Sequence, residues 1–360
     1  MTGVVPPATL YDALALRGIV AGADVVDLSL GTPVDPTPAV AREALAAASD
    51  APGYPAVHGT PTLRQVVVDW FSRRRGVPGL DPEAVLPTIG SKELIAWLPL
   101  LLGLGAGDVV THPRLAYPTY AAGARFSGAT AVATDDPTAL PGAGVCWVNS
   151  PSNPTGRVAG VQELRDVVAW ARRTGTVLVS DECYAEMGWD AEPVSLLHPS
   201  VCDGDVTGLL VAYSLSKQSN LAGYRAGLVA GDPALVARLV ETRKHAGMIV
   251  PRPVQAVMQA CLADDAHVAE QRARYAARRD VLRVAVLTAG LTVEHSEAGL
   301  YLWCTRGESC WDTAAALARV GVLAAPGAFY GEDGEQHVRL ALTVSDDRLA
   351  LAAERLATLG

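Results

Sequence analysis

The feature that most limits what this chain can become is an alternation. Over about 38–245, short apolar runs are separated by stretches with helical spacing. The runs DVVTHP (108–113), GVCWVNSP (144–151), TVLVSDE (176–182) and GLLVAYS (208–214) read as buried strands. Between two of them, 161–173 sets Leu164, Val167, Val168 and Ala171 on one helix face. Strand, helix, strand in repetition predicts a mostly parallel α/β sheet. Further on, 253–287 reads as long helices. A strand hairpin around GLYLWCT, a helix over 311–320, a strand at QHVRLALT and a closing helix follow. That is an α+β unit, with which the first 36 residues are expected to pack. The expected organisation is a large α/β domain over 37–246 and a smaller α+β domain made of 1–36 and 247–360. A chain of 360 residues is long for one core.

Composition narrows the function classes. Half the residues are hydrophobic and 19% are charged, which can fill a sizeable core. A formal charge of -9 leaves no basic footprint, so nucleic acid is not an expected partner. The start, MTGVVPPATLYDALALRG, has no basic stretch leading into a long apolar core, and the apolar run 95–104 contains Pro99 and is too short for a bilayer. A cytoplasmic protein without membrane or DNA-binding segments is expected. Cysteines at 146, 183, 202, 261, 304 and 310 form no CxxC pair and no ligand spacing, so they are expected as buried thiols, with no metal.

Several segments at strand ends carry chemistry, and α/β sheets bind ligands beyond the carboxyl ends of their strands. In SLSKQSNLAGYRAG (214–227), Ser214, Ser216 and Arg225 suit a phosphate dianion, and Lys217 is placed to form an imine with an aldehyde. In SDECYAE (180–186), Asp181 ends an apolar strand, where a pyridinium N–H would stabilise its buried charge. Tyr184 and Asn153, the latter in the rigid turn NSPSNPTG (149–156), are placed to reach that ring's phenolic oxygen. Either X-Pro bond of the turn is a candidate for the cis form. In TIGSKELIAW (88–97), Ser91 opens a helix whose free N–H groups make a phosphate seat. Tyr117, after another strand, is placed to stack on a ring, and Arg339, inside an apolar strand, needs an anion such as a substrate α-carboxylate. Each segment alone has a plainer reading: an exposed Ser/Lys loop, a turn-capping Asp, a tight turn, a well-capped helix, a core tyrosine, an internal salt bridge. Those readings do not explain why all the segments occur together.

In order and spacing these segments resemble the class I/II aminotransferases of pyridoxal-phosphate (PLP) fold type I, over nearly the whole chain. The resemblance implies an aspartate-aminotransferase-like fold, PLP as cofactor, and amino-acid and 2-oxo-acid substrates. It makes Lys217 the Schiff-base lysine and proton shuttle, Asp181 the partner of the pyridinium, and Asn153 and Tyr184 the partners of the phenolic oxygen. Ser91, Lys92 through its backbone, Ser214, Ser216 and Arg225 match the phosphate cup, and Tyr117 the stacking ring. Tyr54, in YPAVHGTPTLRQ, matches a tyrosine that reaches the neighbouring subunit's phosphate, which implies a homodimer with shared sites. Gly31 and Arg339 match the positions that meet the substrate carboxylate.

Within that family, VDLSLGTPVDPTP, SDAPGYPAVHGTP, LPTIGSKELIAWLP, SLSKQSNLAGYRAG and HSEAGLYLW are most similar to the bacterial N-succinyldiaminopimelate aminotransferases of lysine biosynthesis. The implied reaction exchanges an amino group between glutamate/2-oxoglutarate and the succinylated substrate. Two departures stand out: a shorter N-terminus at the pocket mouth, and Ala298 where glycine is frequent, which would narrow the side-chain pocket. Distal carboxylates call for further cations, and Lys92, Arg252 and Arg114, with His58 behind them, are the candidates. The alternatives are an aminotransferase for aromatic, branched-chain or histidinol-phosphate substrates, a PLP carbon–sulfur lyase, and a PLP-binding regulator without turnover.

Overall fold

The computed structural model describes residues 24–359, so the expectations for the first 23 residues, including a shortened pocket mouth, lie outside the described residues. After β1 (Val26–Asp27) the chain builds β2 (Val85–Ile89), β3 (Val109–His112), β4 (Thr130–Ala133), β5 (Val145–Asn149), β6 (Val177–Asp181), β7 (Leu209–Ser214) and β8 (Ala226–Gly231). Strands β2 to β8 form one sheet in the order β2-β8-β7-β6-β5-β3-β4. β3 to β7 are parallel, while β8 runs antiparallel to both its neighbours, β2 and β7. The four apolar runs coincide with β3, β5, β6 and β7, and the helix expected over 161–173 is Val161–Thr174.

Helices cover both faces of this sheet, which is why its central strands are apolar throughout. Alternate residues of β6, β7 and β8 enter opposite cores: Leu178, Val211 and Leu228 join Trp70, Phe71 and Trp170, whereas Val179, Leu210 and Val229 join Leu94, Leu98 and Tyr120. The helix Arg252–Ala263, expected with the C-terminal unit, instead buries Val257, Met258 and Leu262 in the first of these cores.

The remaining strands are β9 (Thr292–Glu294), β10 (Tyr301–Thr305), β11 (Val322–Leu323), β12 (Ala325–Pro326) and β13 (His337–Ala341). A four-stranded sheet runs β12-β13-β10-β9, and β1 pairs with β11 in parallel. Val26 and Leu28 share a core with Tyr275 and Leu282 of the helix Ala266–Thr288 and with Leu340 of β13. The segment just before Gly31 is thereby tied to the C-terminal strands. Among the described residues, no helix is long and apolar enough to cross a membrane.

One ion pair fixes the first turn of the helix Ser91–Leu101. The fully buried Arg243 donates from Nη1 to Glu93 Oε1 (2.7 Å) and from Nη2 to Oε2 (3.1 Å), and Oε2 also accepts the Ile89 N–H (3.2 Å). Removing one partner strands the other charge. Arg243→Ala is therefore expected to lower the unfolding free energy by about 3–5 kcal/mol in urea titrations, and adding Glu93→Gln should restore much of it. A loss below about 1 kcal/mol would show that the pair is dispensable.

Candidate active site

Strand register gathers the predicted residues at one sheet edge. Asn149, Asp181 and Ala212 lie side by side at the ends of β5, β6 and β7, and Ser214 and Thr88 both face Gly227 of β8. An anion corner forms where β8 meets the helix Ser91–Leu101. The N-cap is Gly90, at φ 72° and with no side-chain cap, so the plainer reading of a well-capped helix gives way to an open N-terminus. A Cβ on Gly90 would come within 2.4 Å of Arg225 Nη2, and one on Gly227 within 2.8 Å of the Ser91 nitrogen. Glycine is needed at both positions for the guanidinium and the helix start to meet. Arg225, itself left-handed at φ 56°, is held by the Ala222 carbonyl at 2.8 Å. Ser214 Oγ donates to Ser216 Oγ (2.8 Å) and accepts the Ser216 N–H (3.2 Å), so the two hydroxyls are adjacent and buried.

At the end of β6, Asp181 accepts from Tyr120 Oη at 2.8 Å through Oδ2 and from the Cys183 N–H at 3.1 Å through Oδ1. Burial pushes its carboxyl up, against the lowering effect of hydrogen bonds from Cys183 and Tyr120. A cationic N–H partner beside it would favour its charged form. Tyr120 did not emerge from the sequence, although it lies three residues after Tyr117 in the first turn of the helix Thr119–Ser127. Asn149 is a second such residue: Nδ2 donates to the Asp181 carbonyl (2.9 Å), and Oδ1 accepts the Asn153 N–H (2.8 Å), fixing the turn. In that turn Ser150–Pro151 is the cis bond.

Facing this edge from the C-terminal unit, Arg339 donates from Nη1 to Asn153 Oδ1 (2.8 Å) and from Nη2 to the Ser29 carbonyl (2.7 Å). It is 6% exposed, its Nε has no partner, and it forms no ion pair among the described residues. The internal salt bridge is thus not seen. With Asn153 Oδ1 occupied, the Asn153 amide NH₂ remains the donor. Lys217 Nζ donates to the Gly31 carbonyl, which joins the segment after β1 to the lysine.

Lys92 sits in the open first turn with Nζ 5.9 Å from the Tyr117 ring centre. Two candidate cations are otherwise engaged. Arg114 makes a forked pair with Asp333 (2.5 and 2.6 Å), and the half-buried His58 lies 3.5 Å from Glu83, its pKa lowered by burial and by Arg64. Arg252 is exposed at the start of its helix. Tyr54 is 101% exposed in the single chain. Ala298 is fully buried, and its N–H donates to the Gly156 carbonyl (3.0 Å).

An amine, a buried carboxylate, a phosphate-shaped corner and an arginine lacking an anion together make a site for a phosphorylated carbonyl cofactor and an amino acid. The model of the family "Aminotransferase class I and II" matches residues 23–356, and the chain belongs to this family. It is a PLP-dependent aminotransferase of the aspartate-aminotransferase-like α/β fold. It is 60% identical over 334 residues to the 4-dedimethylamino-4-oxo-anhydrotetracycline transaminase OxyQ of Streptomyces rimosus, covering 92% of this chain and 93% of that protein. It is also 60% identical over 356 residues to a probable aminotransferase of Mycobacterium tuberculosis, covering 98% of this chain and 85% of that one. Among solved structures, N-succinyldiaminopimelate aminotransferase from Mycobacterium tuberculosis superposes with a TM-score of 0.87 at 26% identity over 97% of each chain.

Proposed function

We propose that this aminotransferase exchanges an amino group between N-succinyl-LL-2,6-diaminopimelate and 2-oxoglutarate, in the cytoplasm, as a step of lysine biosynthesis. The observation that carries the substrate is Lys92, a cation in an open helix turn beside Tyr117 with no acidic partner among the described residues. A substrate with carboxylates far from its reacting carbon would supply that partner. The likeness to a solved enzyme named for this substrate supports the reading.

When bound, PLP supplies an aldehyde that takes up the amino group and a ring that accepts the electron pair released at the substrate's α-carbon. The residues present fit it. Ser91, the Lys92 N–H, Ser214, Ser216 and Arg225 would hold its phosphate, and Tyr117 its ring face. Asp181, braced by Tyr120, would hold a proton on the ring nitrogen, and Tyr184 and Asn153 would donate to the phenolic oxygen. Arg339, with the Gly31 backbone, binds the α-carboxylate in place of water and so orients the α-C–H bond. Lys217 Nζ then removes and returns the α-proton. The fully exposed Tyr54 supports a homodimer in which it completes the phosphate site of the other subunit.

The test presents amino donors singly to the PLP-loaded enzyme and follows amino-group transfer by visible absorbance. Rapid transfer from N-succinyl-LL-diaminopimelate and glutamate, with aromatic and branched-chain amino acids slow, supports the reading. The 60% identity to a 4-dedimethylamino-4-oxo-anhydrotetracycline transaminase favours one rival, a polycyclic ketone acceptor. An inert succinylated donor would leave that rival standing. Lys92→Ala and Arg252→Ala are expected to raise KM for the succinylated substrate about tenfold each while leaving kcat nearly unchanged, since each removes one charge-assisted contact. An unchanged KM in both would remove the assignment.

A further inference from the structure

We propose that Tyr301 is a positioning residue of this reaction: its ring holds the Arg339 guanidinium in place, and its hydroxyl orients and strengthens the Tyr184 hydroxyl as a donor to the cofactor. The inference rests on the roles given above to Arg339 and Tyr184. Tyr301 begins β10 and stands diagonally across from Arg339 of β13, because the register pairs Tyr301 with Ala341 and Trp303 with Arg339. Its ring centre is 3.9 Å from Arg339 Cζ, and the Tyr330 ring lies 4.9 Å from the same carbon. Neutral aromatic faces hold a cation without neutralising it, so the guanidinium keeps its charge for a carboxylate.

The hydroxyl end points to the centre of the site. Tyr301 Oη lies 2.9 Å from Tyr184 Oη, and a Cβ on Gly31 would fall 2.0 Å from Tyr301 Oη. The hydroxyl therefore packs against the same residue whose carbonyl receives Lys217 Nζ. The titratable or charged groups around Tyr301 are Arg339 of β13, Lys217 after β7, Cys183 and Tyr184 after β6, Tyr275 of the helix Ala266–Thr288, and Tyr330. Burial alone would raise its pKa. The Arg339 and Lys217 charges lower it, whereas burial raises that of Tyr184. A hydroxyl has one proton to give, so when Tyr184 donates to the cofactor the 2.9 Å contact is completed by Tyr301 as donor, and the chain polarises cooperatively.

Tyr301→Phe keeps the ring and removes the hydroxyl, whereas Tyr301→Leu removes both. In PLP-loaded enzyme, Tyr301→Phe is expected to leave the Kd of an unreactive dicarboxylate such as maleate within about twofold. It should raise the midpoint of the cofactor's visible pH titration by about half a unit, because a weaker Tyr184 donor stabilises the phenolate less. Tyr301→Leu should weaken maleate binding about tenfold by removing the cation–π platform. An unmoved midpoint in Tyr301→Phe, or wild-type maleate affinity in folded Tyr301→Leu, overturns the inference. Arg339→Gln separates the two levels: if it too leaves maleate affinity unchanged, the assignment of Arg339 fails, and otherwise only that of Tyr301 does.

Discussion

Lys217→Ala is expected to bind PLP, retain the wild-type melting profile without cofactor, and lose turnover by at least about 10⁴-fold, since in the proposed mechanism one amine would serve as both covalent anchor and proton carrier. The reason lies in its placement. Lys217 follows β7 in the short helix Leu215–Gln218, between the serine pair and the Gly31 carbonyl. Among the described residues, the other lysine near that edge is Lys92, which lies against Tyr117. Arg225 cannot substitute, because a guanidinium stays protonated and cannot remove the α-proton. Spectrophotometric turnover with glutamate and 2-oxo acids, together with PLP retention after gel filtration, checks this. Activity within about tenfold of wild type would remove Lys217 from the chemistry.

Asp181→Ala is the second large effect. The carboxylate is buried and touches Tyr120 Oη and the Cys183 N–H, neither of which carries a positive charge. Its burial cost is offset only when a cation sits against it. Removing it should lower kcat by about 10²–10³-fold, the usual scale for losing one preorganised electrostatic partner. Asp181→Asn keeps an acceptor for one of its two donors and removes only the charge, so it should show a comparable loss in kcat. A near-normal Asp181→Asn enzyme would mean that the residue serves the local turn alone. The Tyr120→Phe change, which leaves the charge in place, should cost less than either.

Particular residues show what could be read in advance. The four apolar runs became β3, β5, β6 and β7 because a strand buried on both faces has a composition that does not depend on its neighbours. Lys217, Asp181 and Ser91 were legible for a related reason: each directly follows or ends such a strand, and a parallel sheet brings all its carboxyl ends to one edge. The helix Arg252–Ala263 shows the limit of that logic. Its spacing announced a helix, but its partner, the core around Trp70 and Phe71, could not be inferred from spacing.

What the sequence determined by itself, then, was the alternation, the sheet edge and the chemical inventory along it, since periodicity and strand-end position are local properties of the chain. Tertiary structure decided the pairings. Arg339 meets Asn153 and the Ser29 carbonyl across 186 and 310 residues of sequence. Arg114, a candidate substrate cation, is engaged by Asp333, and Arg243 pairs with Glu93 in the first turn of the helix that Ser91 opens. Tyr120 and Tyr301 reach the site from a helix face and an antiparallel register. A charge or hydroxyl acquires its role from the group within about 3 Å of it. Which group that is depends on how separately formed elements pack together.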